Sequence, residues 1–113
     1  MGTGWYIINT YAGQEAKIKE RLEAFSASKN IFRIFVPPAE KIMVQNKNEE
    51  LVERKVYPGY ILVEMELNQE TYNVVRKTPG VTGFVGGLKP IKFTEEEVKE
   101  ILSYPLQNID NLP

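Results

Sequence analysis

RKVYPGYILVEMEL, residues 54 to 67, decides how the chain is folded. From Tyr60 onward it alternates with period two. Ile61, Val63, Met65 and Leu67 point to one side, an unbroken apolar face of the kind that packs on helices. Tyr60, Leu62, Glu64 and Glu66 point to the other. That face is apolar where the strand begins and acidic where it ends, so it is expected to be partly open to solvent, with its apolar end bare or covered by another element. Ahead of the strand, Tyr57, Pro58 and Gly59 form a stiff corner behind two cations, Arg54 and Lys55.

Working outward, WYIINTY (5–11) is β-branched and aromatic and predicts an opening strand. Between Gln14 and Ser26 the period changes: Ile18, Leu22 and Phe25 make one helical stripe, with Glu15 and Lys19 as an i,i+4 pair on the wet side. IFRIFVPP (31–38) predicts a second strand, stopped by Pro37 and Pro38. KIMVQNKNEELVERKVY predicts a hairpin arm turning at Gln45–Asn48. Asn68 can cap a helix over 69–77 with Tyr72 and Val75 inward, and Thr78-Pro79-Gly80 ends it. Residues 81–85 are a further strand. Thr94 and Glu97 form a capping box for a third helix carrying Val98, Ile101 and Leu102, with three glutamates in its first turn. The expected fold is α/β (α+β): a mainly antiparallel sheet of four to five strands flanked by about three helices, near the split-βαβ type.

Length fits one domain, and 42% hydrophobic with 26% charged residues is an ordinary globular balance. No apolar run approaches the ~20 residues of a membrane span, and the N-terminus has no signal-peptide pattern. The chain has neither cysteine nor histidine, which removes disulfides, thiol nucleophiles, imidazole bases and Cys/His zinc sites. No cofactor or metal is expected. The net charge of −1 argues against a protein that lives on phosphate contacts alone. No long amphipathic seam is left over, so a monomer is expected.

Catalysis finds little support. Glu64 and Glu66 share a strand face, but a solvated strand end explains them, and Gly83-Phe-Val-Gly86-Gly87 has neither phosphate-loop spacing nor a GK[ST] ending. A non-enzyme is expected. The cations Arg76 and Lys77 fit dipole compensation at a helix C-terminus as well as they fit a ligand. Tyr57, Tyr60 and Phe84 are open to two readings, core residues or rigid anchors on an exposed apolar surface for a protein partner. A single-stranded RNA-binding sheet is the alternative, disfavoured by the acidic Glu64 and Glu66.

Four segments, WYIINTYAGQEAKIKERLE, IFRIFVPPAEKI, ERKVYPGYILVEM and VVRKTPGVTGFVGG with KPI, resemble the N-terminal (NGN) domain of the NusG family of bacterial transcription elongation factors, from about Trp5 to Leu102. The resemblance implies a domain over residues 1–104, with 105–113 as the start of an interdomain linker and a C-terminal KOW domain not contained in this chain. The partners of that second domain, such as Rho or the ribosome, are beyond this chain's reach.

The resemblance further implies a cytoplasmic protein that binds the clamp helices of the RNA polymerase largest subunit through an apolar depression. It would bridge the DNA cleft near the upstream fork and modulate processivity, pausing, antitermination or termination. The implied polymerase-binding residues are Tyr57, Pro58, Tyr60 and Leu62, with Val81, Phe84 and Asn9 beside them. The implied DNA-contacting residues are Arg76, Lys77 and Thr78, set against the non-template strand. Many bacterial members carry Asn-Thr where this chain has Lys77-Thr78, so general strand contact is expected rather than sequence reading.

Overall fold

Alternation of period two in the strands and 3.6 in the helices is followed closely by the backbone. In the computed structural model, which describes residues 2–26 and 30–102, the order is β1 (Gly2–Thr10), α1 (Glu15–Ser26), β2 (Ile31–Phe35), β3 (Glu40–Gln45), β4 (Leu51–Val56), β5 (Tyr60–Leu67), α2 (Gln69–Lys77), β6 (Val81–Phe84) and α3 (Glu95–Leu102). The proposed linker, 105–113, lies outside the described residues.

The main sheet runs β2-β5-β1-β6, every neighbouring pair antiparallel. β1 and β2 are therefore parallel to each other with β5 between them, and β5 and β6 are parallel with β1 between them. These are two interlocked split βαβ units, linked through α1 and α2. The hairpin β3-β4 interrupts this pattern as a separate two-stranded sheet, paired from Glu40↔Val56 to Gln45↔Leu51. Prolines stand at both of its roots, Pro37-Pro38 and Pro58, and proline cannot donate to a ladder, so the main sheet does not run on into the arm. At the tip, the Asn46 side-chain oxygen accepts the N–H groups of Asn48 and Glu50 at 2.9 and 3.0 Å.

The two faces of β5 are covered differently. Ile61, Val63, Met65 and Leu67 join Tyr6, Ile8, Ile18, Leu22 and Val75 in the main core under α1 and α2. Full burial of each such side chain is worth about 1.5–3 kcal/mol. The Asn68 cap is formed as expected: its side chain accepts the Thr71 N–H at 2.9 Å, and the Thr71 hydroxyl accepts the Asn68 N–H at 3.0 Å. Gly80, at φ +97°, lets α2 and β6 close onto α1, since a Cβ there would lie 2.9 Å from Ile18 Cδ1. The Thr94–Glu97 box caps α3 as its sequence predicts.

Five expectations need correction. Tyr60 and Leu62 are not on an open face: they are 6% and 0% exposed, packed with Trp5 and Val98 under α3, because the apolar side of that short helix needs a partner. Phe84 is core, stacked on Tyr72 with ring centroids 5.2 Å apart and edge-on to Tyr6. Phe25 turns out to be exposed, at the last turn of α1. Glu15 is buried rather than paired with Lys19 in water; its carboxylate accepts the backbone N–H groups of Gly13, just ahead of α1, and of Gly59, just ahead of β5. The predicted strand over 81–85 stops at Phe84, though the Val85 N–H still reaches the Ile7 carbonyl at 2.9 Å.

Candidate functional site

One end of the main sheet gathers most of the residues singled out above. Asn9 is exposed and stands opposite Tyr60 on one side and Gly83 on the other, and Thr10 stands opposite Val81. Beyond the strands, the Thr10 N–H donates to the Gly59 carbonyl at 2.9 Å and the Tyr11 N–H donates to the Gly80 carbonyl at 3.0 Å. The Tyr57–Gly59 corner and the Thr78–Gly80 turn thus hang from consecutive residues of one chain segment, although they are about twenty positions apart in sequence.

The corner itself is over-determined. Pro58 fixes its own φ, and Gly59 adopts φ +74°, a left-handed conformation that side chains other than glycine rarely take. Glu15, 3% exposed, accepts the Gly59 N–H on one carboxylate oxygen at 2.6 Å and the Gly13 N–H on the other at 2.7 Å. Pro58 is half-buried and Tyr57 is left 46% exposed. Next to the corner, Tyr60 forms part of the wall of a depression of about 190 Å³ with Phe35, Pro37, Pro38 and Leu102. Half-buried Val81 packs against the main core.

The second group divides. Arg76 and Lys77 are exposed, and Arg76 donates to the Thr82 carbonyl at 3.0 Å, which sets its guanidinium along β6. Thr78 is 5% exposed and its hydroxyl donates to the Val74 carbonyl at 2.7 Å. It closes α2 and is not presented to a strand of DNA. From α1, Arg21 donates to the Pro79 carbonyl at 2.8 Å and brings a third cation to this turn.

On the face of the sheet that α3 covers, Arg33 makes a two-pronged ion pair with Glu64 at 2.7 and 2.9 Å, reaches Glu95 at the start of α3, and lies 5.0 Å over the Trp5 ring. The Arg33 hydrogen bonds hold the Glu64 carboxyl below the usual carboxylate range despite partial burial. Glu66 accepts the Thr3 hydroxyl at 2.6 Å. Both carboxylates of the strand are therefore occupied structurally, and among the described residues no group of three or more acidic side chains is placed to hold a metal.

Sequence reasoning missed Glu15, Tyr11, Arg21 and Phe35. Tyr11 is 64% exposed at the hinge between the two turns, and nothing in its sequence pattern separates it from the strand it ends. Arg21 has the spacing of an ordinary wet-face cation.

Residues 3–102 match the family model described as NusG, transcription termination factor nusG. The chain belongs to the NusG family. Its matched region is the NusG N-terminal domain, and the sheet of split βαβ units with three helices is the fold expected for it. A protein from Halalkalibacterium halodurans named transcription termination/antitermination protein NusG is 46% identical over 110 residues, and its namesake from Bacillus subtilis is 41% identical over the same length. Each alignment takes in 90% of this chain and 62% of the relative, so the chain spans somewhat under two thirds of the length of these curated NusG proteins. A solved structure of Thermotoga maritima NusG superposes with a TM-score of 0.62 at 33% identity, covering 98% of this chain and 60% of that one.

Proposed function

We propose that this domain docks a transcription elongation factor onto the clamp helices of the RNA polymerase largest subunit, from where it bridges the DNA cleft and modulates processivity and pausing. The observation that carries the reading is the Tyr57-Pro58-Gly59-Tyr60 corner: a turn held from outside by Glu15 and Thr10 presents a half-exposed aromatic ring, and Tyr60 at its end lines a shallow depression with Phe35, Pro37, Pro38, Ala39, Glu40 and Leu102. Rigid aromatics at the edge of a pocket lose little entropy on binding and suit an amphipathic helix as partner. The NusG membership supports the choice of partner. Tyr57, Pro58 and Asn9 form the contact surface in this reading, with Val81 at its margin. Tyr60 and Leu62 act from beneath, as the floor that keeps the surface in shape, and Phe84 supports the sheet from its other face.

Arg76 and Lys77, with Arg21 beside them, make general phosphate contact with the non-template strand near the upstream fork. Thr78 holds their turn. The domain works as a binding module without a cofactor, and no helix among the described residues is long and apolar enough to cross a membrane.

The test is titration of the domain with a clamp-helix fragment of polymerase. Tyr57→Ala should weaken binding at least tenfold, about 1.4 kcal/mol, while circular dichroism and melting temperature stay as in wild type, because the ring is half in water already. Equal affinity of the two proteins would remove Tyr57 from the interface. Tight, salt-steep binding to single-stranded RNA without polymerase would replace the reading with the RNA one.

A further inference from the structure

We propose that Glu15 is a positioning residue for docking: from the first turn of α1 it pins Gly59, and through Gly59 and Pro58 it sets where Tyr57 points. The inference rests on the polymerase-docking reading above.

A carboxylate 3% exposed has left water and needs replacement partners. Glu15 finds them in two backbone donors from different parts of the chain, Gly13 just ahead of its own helix and Gly59 forty-four residues away. Each oxygen takes one N–H at 2.6–2.7 Å, the short range of charge-assisted bonds. The negative end also sits at a helix N-terminus, where it is favoured.

What makes the contact more than a fold support is the residue it holds. Gly59 has both its polar groups fixed from outside β5, the N–H by Glu15 and the carbonyl by Thr10. Its φ of +74° is one of several that glycine reaches freely, and nothing in the corner's own chain selects it. A Cβ on Gly59 would meet only the Thr10 carbonyl oxygen, at 3.8 Å, so crowding does not select it either. The two outside hydrogen bonds do. Only Pro58, whose φ is locked, separates Gly59 from Tyr57, and a swing at Gly59 passes straight to the exposed ring. Loss of the pin leaves the core intact and disperses the corner over several conformations, and affinity falls by the fraction that remains competent.

The experiment compares wild type, Glu15→Gln, Tyr57→Ala and Ile31→Val in binding to the polymerase clamp-helix fragment, well below their melting temperatures. Glutamine keeps the size but offers a donor where the carboxylate offered a second acceptor. Ile31→Val lowers stability at a buried site distant from the corner and controls for destabilisation alone. Glu15→Gln is expected to bind about tenfold more weakly, the factor that corresponds to 1.4 kcal/mol, with Ile31→Val near wild type. In amide NMR the Gly59 resonance should move and broaden in Glu15→Gln while those of the main core stay in place. Wild-type affinity in Glu15→Gln with a weakened Tyr57→Ala overturns the role of Glu15 and leaves the docking reading standing. An equal loss in Ile31→Val also overturns it, since destabilisation alone would then explain the effect. No binding by wild type overturns both.

Discussion

β5 has two faces, and they are built for different ends. One lies under two helices of twelve and nine residues and shares a closed cluster in which Ile61, Val63 and Met65 are wholly buried. The other lies under α3, eight residues long, of which Val98 alone is buried. There the apolar end, Tyr60 and Leu62, gives way within two residues to Glu64 and the Arg33 ion pair. The first face is closed by two helices. The second is closed by one short helix at its apolar end and by an ion pair at its acidic end, and its cluster reaches the depression that Tyr60 lines. A strand can do both because its side chains alternate, so the two kinds of packing fall on different residues.

The sharpest way to break this comparison is to cut a hole on each side of the sheet. Ile61→Ala removes a wholly buried side chain from the two-helix side and should cost about 2–5 kcal/mol in urea unfolding, a large part of a small domain's stability. Val98→Ala on the other side should cost about 1.5 kcal/mol, at ~0.8 per buried carbon. Its more telling effect is local. Trp5 is the sole tryptophan and packs against Val98, so its fluorescence should shift to longer wavelength as α3 loosens, ahead of global unfolding. If the fluorescence change and the global transition coincide, α3 is as firmly built in as α1 and α2, and the contrast between the faces fails.

A smaller effect sharpens the contrast electrostatically. Glu64 titrates below the ordinary carboxylate range in the folded protein, so its link to Arg33 stabilises above the unfolded value of about 4.3 and is lost as pH falls through the lower folded value. Glu64→Gln should lower stability at pH 7 by no more than about 1 kcal/mol, since Arg33 is 56% exposed. The gap between the two proteins should close on acidification toward pH 3. A gap that persists there would mean that the contribution is packing rather than charge.

Most of the secondary structure was legible, because long periodic stretches such as 60–67 and capping signals such as Asn68 and Thr94 act locally. What a strand face meets is not local. The pattern of Tyr60 and Leu62 is the same whether solvent or α3 covers them, and Val98 lies 38 and 36 positions further along the chain. The same limit applies to Phe84, whose exposure depends on where Tyr72 stacks. Glu15 was misplaced for the opposite reason: its i,i+4 partner was visible in sequence, whereas Gly59 could be known only once α1 and the corner had been brought together. The candidate site was thus legible in its residues at the corner, and illegible in the division between those that face outward and those that support them.

The hairpin arm has a consequence of another kind. Its strands pair with each other and not with the main sheet, and prolines close both roots. Residue pairs can therefore be added to or removed from it without shifting the register of β2, β5 or β1, each pair moving the tip by about 3.4 Å. The reach of the molecule is adjustable in one place by simple insertion, like a rule with a sliding end, while everything that fixes the fold stays where it is.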